Sequence, residues 1–297
     1  MMGSAPKLRD AKDISGGHLF IAGMRGWCHI ILVGASILAN ARRSGVIEFD
    51  LPALEEGLRE GRIRRDDLFE DILRFVSSDP RRASAELNTC MDLVVDGYRR
   101  GLQQWVYLLH SDSRVGELCA EILKEFLEGF SRERLDRRLS ILKPMKIDHL
   151  GDPDRFGDGL ADLFKTIIDI ISYHKAQGDR VFVHATGGYK PETAIAILAA
   201  NSPMCGAPVF YVHEHFNRVV RIPAMPLSFR PWKRFSDMMN YLLDLGEVNR
   251  RGLEERFGRE AVEEAIRLGW IQEVDGYVSL SEMGRLLWRR LRRLKPP

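Results

Sequence analysis

Arg180-Val181-Phe182-Val183-His184-Ala185-Thr186-Gly187-Gly188-Tyr189-Lys190-Pro191-Glu192 passes from a short apolar run through a double glycine into a segment rich in alanine and isoleucine. A run of this length bounded by glycine reads as a buried strand, and proline suits the first turn of a helix. The stretch therefore predicts a strand over Arg180 to Ala185, a tight turn, and a helix over Pro191 to Ala200. The turn is chemically demanding. Two consecutive glycines offer backbone amides that can converge on a phosphate, and Lys190 sits where the positive end of a helix dipole disfavours a cation unless an anion compensates. The plainer alternative is that Gly187 and Gly188 only make the turn, with Lys190 solvated or paired with Glu192.

The same grammar recurs on either side. His29 to Val33 is an apolar run ending in Gly34-Ala35-Ser36, after which Ile37 to Ala41 has helical character. Its small residues let a phosphate approach a helix start, and the Ser36 hydroxyl offers a hydrogen bond, although small residues in such a turn are also ordinary packing. Leu51 to Arg100 carries Leu54, Leu58, Leu68, Ile72 and Phe75, then Leu87, Met91 and Val94, at helical spacing. Trp105 to Leu109 is a second buried strand. It precedes a polar turn, His110-Ser111-Asp112-Ser113, and a helix over Gly116 to Phe130. Ser140 to Leu150 is a weak strand signal broken by Pro144, Phe156 to Lys175 an amphipathic helix, and Val209 to Val212 another strand. Strands alternating with crossover helices imply an α/β fold with a Rossmann-like, mostly parallel, doubly wound sheet, whose ligands bind beyond the carboxyl ends of the strands.

Around Pro223, Pro226 and Pro231 the composition changes, and a C-terminal winged helix-turn-helix domain is expected beyond. Phe235 to Leu245 and Arg251 to Phe257 read as helices and Glu260 to Leu268 takes the recognition-helix position. Ile271 to Leu280 forms a hairpin turning at Asp275-Gly276, and a basic helix runs over Glu282 to Leu294. The expected organisation is an N-terminal extension over 1–27, the α/β domain over 28–227 and the winged helix over 228–297. Met24 is an alternative start.

The balance of 44 basic against 42 acidic residues, net +2, argues against a protein that coats nucleic acid with its whole surface. The recognition-helix position carries Glu260, Glu263 and Glu264 against Arg259 and Arg267, which would repel phosphates. The terminal Arg285, Arg289, Arg290, Arg292, Arg293 and Lys295 leave room for weak, nonspecific contact with a DNA backbone, or form a solvated face. Cys28, Cys90, Cys119 and Cys205 are far apart and lack zinc-site spacing, so they read as small core residues in a reducing cytoplasm. The longest apolar stretch, Cys28 to Ala39, is interrupted and too short to span a membrane, and residues Met1 to Gly17 lack the pattern of a secretory signal.

The segment His184 to Pro191 resembles the Asn-Ala/Ile-Thr-Gly-Gly-Phe-Lys signature of CRISPR-associated CARF domains, and Val33-Gly34-Ala35-Ser36-Ile37-Leu38-Ala39-Asn40 is similar to their Gly-Thr-Ser-Leu-Leu-Thr-Asn opening. Tyr211 to Glu214 with Val220 to Pro223 resembles the family's fifth strand and following hairpin, and His184 departs from the usual Asn. The resemblance implies a homodimer with a cyclic oligoadenylate, such as cyclic tetra-adenylate, lying across its twofold axis. It places ligand contacts at Gly34, Ala35, Thr186, Gly187, Gly188 and Tyr189, and more weakly at Ser111, Asp112 and Ser113; His110 is expected to be a satisfied core histidine. The absence of any histidine after His215 argues against the ribonuclease domain that ends many CARF proteins. Two types with a terminal winged helix remain. One is a ring nuclease that cleaves its ligand without metal or cofactor to a linear product with a 2′,3′-cyclic phosphate, with Lys190 and Ser36 as catalytic residues. The other is a transcription regulator that binds the ring and does not cut it.

Overall fold

A computed structural model of the chain describes residues 26–188, 190–202, 205–213, 218–224 and 233–292. The extension over 1–27 lies outside them except at its last two residues, as do Tyr189, Glu214, Pro226, Pro231 and the terminal Arg293 and Lys295. Strand β1 (Trp27–Leu32) opens the sheet, and the helices α1 (Ser36–Arg43), α2 (Leu51–Arg59), α3 (Arg65–Ser78), α4 (Pro80–Ala83) and α5 (Ala85–Arg99) follow before β2 (Gln104–Ser111). Then come α6 (Arg114–Arg134), β3 (Leu139–Ile141), β4 (Met145–Ile147), α7 (Phe156–Ala176), β5 (Arg180–His184), α8 (Lys190–Asn201), β6 (Val209–His213) and β7 (Arg218–Ile222).

The seven strands form one sheet in the order β3-β2-β1-β5-β6-β7, with β4 pairing β2 beside β3. All pair in parallel except β7, which returns antiparallel to β6. Pro144 explains the split between β3 and β4, since proline cannot donate to a ladder. Every residue of β1 is buried, as a central parallel strand covered on both faces requires. Alternation then sorts the core. Ile31, Val106 and Leu108 pack with α1, α3, α5 and α6, whereas Cys28, Ile30, Leu32, Val181 and Val183 pack with α7 and α8 on the other face.

Of the boundaries that differ from the sequence reading, two concern the candidate residues after β2. His110 and Ser111 are the last residues of β2 rather than a turn, because parallel pairing of His110 with Lys146 extends the strand. Helix α6 starts at Arg114, two residues before the expected Gly116, because the Ser113 hydroxyl caps it by accepting the Gly116 N–H at 2.9 Å.

The C-terminal segment comprises α9 (Lys233–Leu245), β8 (Glu247–Asn249), α10 (Arg250–Phe257), α11 (Arg259–Arg267), β9 (Ile271–Val274), β10 (Tyr277–Leu280) and α12 (Glu282–Leu291). Its strands form a separate antiparallel sheet in the order β8-β10-β9. Asp275 and Gly276 join β9 to β10 with φ of 51° and 79°, the left-handed pair that an Asp-Gly hairpin turn favours. Phe235, Met238, Leu242, Leu253, Val262, Ile271, Val278 and Trp288 make a core distinct from the two faces of the large sheet. Helix α12 joins the two parts: Trp288 faces this small core and donates its indole N–H to Asn240, while Leu286 and Leu287 pack against the core beneath α7. No helix among the described residues is long and apolar enough to cross a membrane.

Candidate functional site

The chain leaves β1 for β2 on one side and later returns to place β5 on the other, so the carboxyl ends of β1 and β5 flank the point where strand order reverses. That crevice is where open α/β sheets bind ligands. The two glycine turns meet there in backbone contact. A Cβ on Gly34 would lie 2.5 Å from the Gly188 amide nitrogen and 3.1 Å from the Gly187 Cα. A Cβ on Gly187 would fall inside the radii of the Leu32 carbonyl, the Gly34 nitrogen and the Glu86 carboxylate. Gly188 has φ of 85°, open to glycine and costly for other residues, and it is exposed whereas Gly187 is buried. Lys190 opens α8, with Pro191 as its second residue, and is exposed.

A residue that the sequence reading missed organises this crevice. Glu86, in the first turn of α5, is 1% exposed, and its carboxylate lies between the turns. Oε1 accepts the Gly34 N–H at 2.9 Å; Oε2 accepts the Ser36 hydroxyl at 2.5 Å and the Ser84 hydroxyl at 2.8 Å. The Ser36 oxygen also accepts the Ala85 N–H at 3.1 Å, so the starts of α1 and α5 are tied together through Ser36. Helix α1 has no acidic residue in its own first turn, and Glu86 puts a negative charge at that end from another helix. Burial first, and then the nearby Glu86 charge, push the Cys90 thiol up to about 12 and raise Cys119 as well. The signal for Glu86 is periodic: it falls four residues before Cys90 and eight before Val94, on the buried stripe of α5, where a carboxylate needs partners.

Thr186 is also committed. Its oxygen accepts the Val212 N–H at 3.0 Å and stands 2.7 Å from the Thr89 oxygen, whose own proton goes to the Ala85 carbonyl, so Thr186 is the donor in that pair. Ala35 precedes α1 with no side chain to offer. The candidates after β2 are engaged within their own turn or with the loop after β4. Asp112 accepts the N–H groups of His149 and Gly151 at 3.0 and 2.6 Å, Ser111 and Ser113 bond each other at 2.8 Å, and His110 donates to the Ser111 carbonyl at 2.8 Å. Burial lowers the pKa of His110.

His184 points away from the crevice, beneath α5. It is fully buried, stacks on Phe210 and lies with Nε2 3.1 Å from Nδ1 of His29, whose Nε2 meets Gln104 Oε1 at 3.0 Å. Because the Gln104 amide nitrogen donates to the Val94 carbonyl, its oxygen must accept from His29, and His29 in turn accepts from His184. Burial lowers His29 to about 4 and holds His184 well below the ordinary range, His29 adding to the latter effect. Both rings are therefore neutral at pH 7, and among the described residues Nδ1 of His184 has no hydrogen-bond partner.

At the other end of the molecule, the arginines of α11 and Arg250 at the start of α10 are held by acidic neighbours. Arg259 pairs with Glu263 at 2.8 Å, Arg267 with Glu264 at 2.6 Å, and Arg250 with Glu254 at 2.7 Å. Arg285, Arg289 and Arg292 are exposed on or just after α12. All four cysteines are buried, and no cluster of three or more His, Cys, Asp or Glu able to hold a metal occurs among the described residues.

Residues 81–225, just under half of the chain, match the model of a family described as CRISPR-associated protein (Cas_APE2256), which supports a CRISPR-associated protein. The matched span includes Glu86 and the turn after β5, and begins after Gly34 and Ser36. Among solved structures, the chain is similar to Can2 from Sulfobacillus thermosulfidooxidans in complex with cyclic tetra-adenylate, at 13% identity and a TM-score of 0.29 over 68% of this chain and 60% of that one. It is also similar to protein VC1899 from Vibrio cholerae, at 10% identity and a TM-score of 0.28 over 68% of this chain and 62% of that one. The chain thus spans about three fifths of the length of either structure.

Proposed function

We propose that this CRISPR-associated protein is a CARF ring nuclease: a homodimer that binds a cyclic oligoadenylate across its twofold axis and cleaves it. The observation that carries this reading is the contact between the turns after β1 and β5 at the switch point, so close that neither Gly34 nor Gly187 tolerates a Cβ, with Lys190 exposed at its mouth. A crevice floored by backbone at helix starts suits phosphates, and one sheet offers half of a site for a symmetric ring. Gly187 and Gly188 line the anion site, Lys190 neutralises charge developing on the phosphoryl oxygens or the leaving group, and Ser36 orients the ribose or phosphate. Thr186 acts by fixing the turn, and Tyr189 is a ligand contact. The ribose 2′-hydroxyl attacks the adjacent phosphorus and the 5′-oxygen leaves, giving a linear product with a 2′,3′-cyclic phosphate. The nucleophile belongs to the substrate, so positioning and charge stabilisation carry the reaction, and the mechanism we infer draws on no metal or cofactor.

We assign the C-terminal segment as a winged helix-turn-helix domain over 228–297, following the α/β domain over 28–227. A regulator that senses the ring and binds DNA would use the same crevice. The ion pairs that occupy Arg259 and Arg267 on α11 weigh against base reading by that helix, leaving only nonspecific backbone contact through α12.

The test is to incubate the purified protein with radiolabelled cyclic tetra-adenylate in EDTA and follow linear products. We expect slow cleavage, and Lys190→Ala should lower the single-turnover rate on the order of a hundredfold, about 3 kcal/mol, while weakening binding less. Tight binding with no cleavage would overturn the enzyme reading and leave the sensor. Equal losses in binding with an unchanged rate at saturating protein would make Lys190 a ground-state clamp.

A further inference from the structure

The Ser36 hydroxyl has one proton, and the structure accounts for it: it is given to Glu86 Oε2 at 2.5 Å. A carboxylate is acceptor-only, so this bond has a single direction. One lone pair of the Ser36 oxygen is taken by the Ala85 N–H at 3.1 Å, and the other is left. Ser36 is partly exposed toward the crevice while Glu86 beneath it is buried. Ser84 and Gly34 hold the carboxylate from two further directions, so Glu86 cannot turn away without stranding buried donors.

We propose that Glu86 fixes Ser36 as a hydrogen-bond acceptor toward the crevice, so that the site selects rings bearing a 2′-hydroxyl over rings that lack that donor. Phosphate oxygens only accept, and an oxygen whose proton is already committed has nothing to give them. A ribose 2′-hydroxyl is the donor that a cyclic oligoadenylate carries beside each phosphate, and it is also the nucleophile. Glu86 is then a positioning residue acting through Ser36, and specificity for a ribonucleotide ring follows from the polarity of one hydroxyl. This inference rests on the proposed ring ligand and narrows what Ser36 touches.

The experiment compares binding of cyclic tetra-adenylate with that of the ring in which every 2′-hydroxyl is replaced by fluorine, a group of similar size that cannot donate, by rapid mixing before turnover. Wild-type protein should prefer the hydroxyl ring by about tenfold, the worth of one hydrogen bond. Ser36→Ala should erase that preference by weakening the hydroxyl ring alone. Glu86→Gln gives the sharper outcome. Gly34 can only donate, so the new amide oxygen must face it, and the amide nitrogen then donates to Ser36 and turns the Ser36 proton toward the crevice. The preference should vanish or invert, which a purely structural loss would not produce. If Glu86→Gln does not fold, Ser36→Ala still decides. A preference that survives Ser36→Ala, or a Ser36→Ala loss equal for both rings, overturns the inference while the ring-binding reading stands. Binding of neither ring overturns both.

Discussion

The turns after β5 and β2 leave the same edge of one sheet, and both are rich in polar or small residues, yet they are built for different ends. After β2, the polar side chains are spent on backbone amides at that end of the sheet: Ser113 caps α6, and Asp112 gathers the amides of His149 and Gly151 from the loop after β4. After β5, the polar groups are satisfied from distant elements, Thr186 by Thr89 and β6, and the facing Gly34 and Ser36 by Glu86. The first arrangement caps a helix and ties two loops of the fold together. The second holds backbone and a hydroxyl in a set geometry around an opening, as a ligand site needs. A polar residue at the carboxyl end of a strand thus says little until its partners are known.

Substitutions at the glycines test this contrast with the largest expected effect. Gly187→Ala drives a methyl into the Leu32 carbonyl and the Gly34 nitrogen, both backbone, and should cost about 3 kcal/mol in urea unfolding. Gly151→Ala, in the loop after β4 that Asp112 gathers, has the Asp112 side-chain oxygen, at 2.9 Å, as its one contact under 3.4 Å and should cost less than about 1 kcal/mol. Equal losses would mean that the turn after β5 yields as readily as the loop after β4.

Acid separates the regions next. His29 has an unfolded value near 6.5 and a folded value of about 4, so the stability it contributes is full above pH 6.5 and is lost as pH falls toward 4. That difference corresponds to about 3 kcal/mol. His184, also held low, adds in the same direction. Unfolding free energy measured from pH 7 to pH 4 should therefore decline, and His184→Asn should make the decline shallower without abolishing it, because His29 remains. An unchanged slope would show that His184 does not resist protonation in the folded chain.

The smallest effect is a double dissociation. Ser113→Ala removes the cap of α6 and should cost about 1 kcal/mol of stability with ring affinity unchanged. Lys190→Ala, at an exposed position, should leave unfolding free energy within about 0.5 kcal/mol while it impairs ring cleavage. Loss of ring binding in Ser113→Ala would return the turn after β2 to the site.

The sequence by itself determined the strands β1, β2, β5 and β6, the long helices, the hairpin at Asp275-Gly276 and the two glycine turns, because periodicity and turn chemistry are written within about ten consecutive residues. That the two turns share one ligand was implied by the resemblance to CARF domains, and the strand order that sets β1 beside β5 came with the tertiary structure. Only the tertiary structure decided what fills the space between them. Glu86 stands 50 positions from Ser36 and reaches it through the packing of α5, and His184 meets His29 across 155 positions through strand register. Asp112 likewise reaches 37 and 39 positions along the chain to the amides of His149 and Gly151, as Glu86 reaches 50 and 52 to Ser36 and Gly34. Both are acidic residues near a strand end or a helix start, and a side chain's role depends on where its hydrogen bonds go, which no local pattern records.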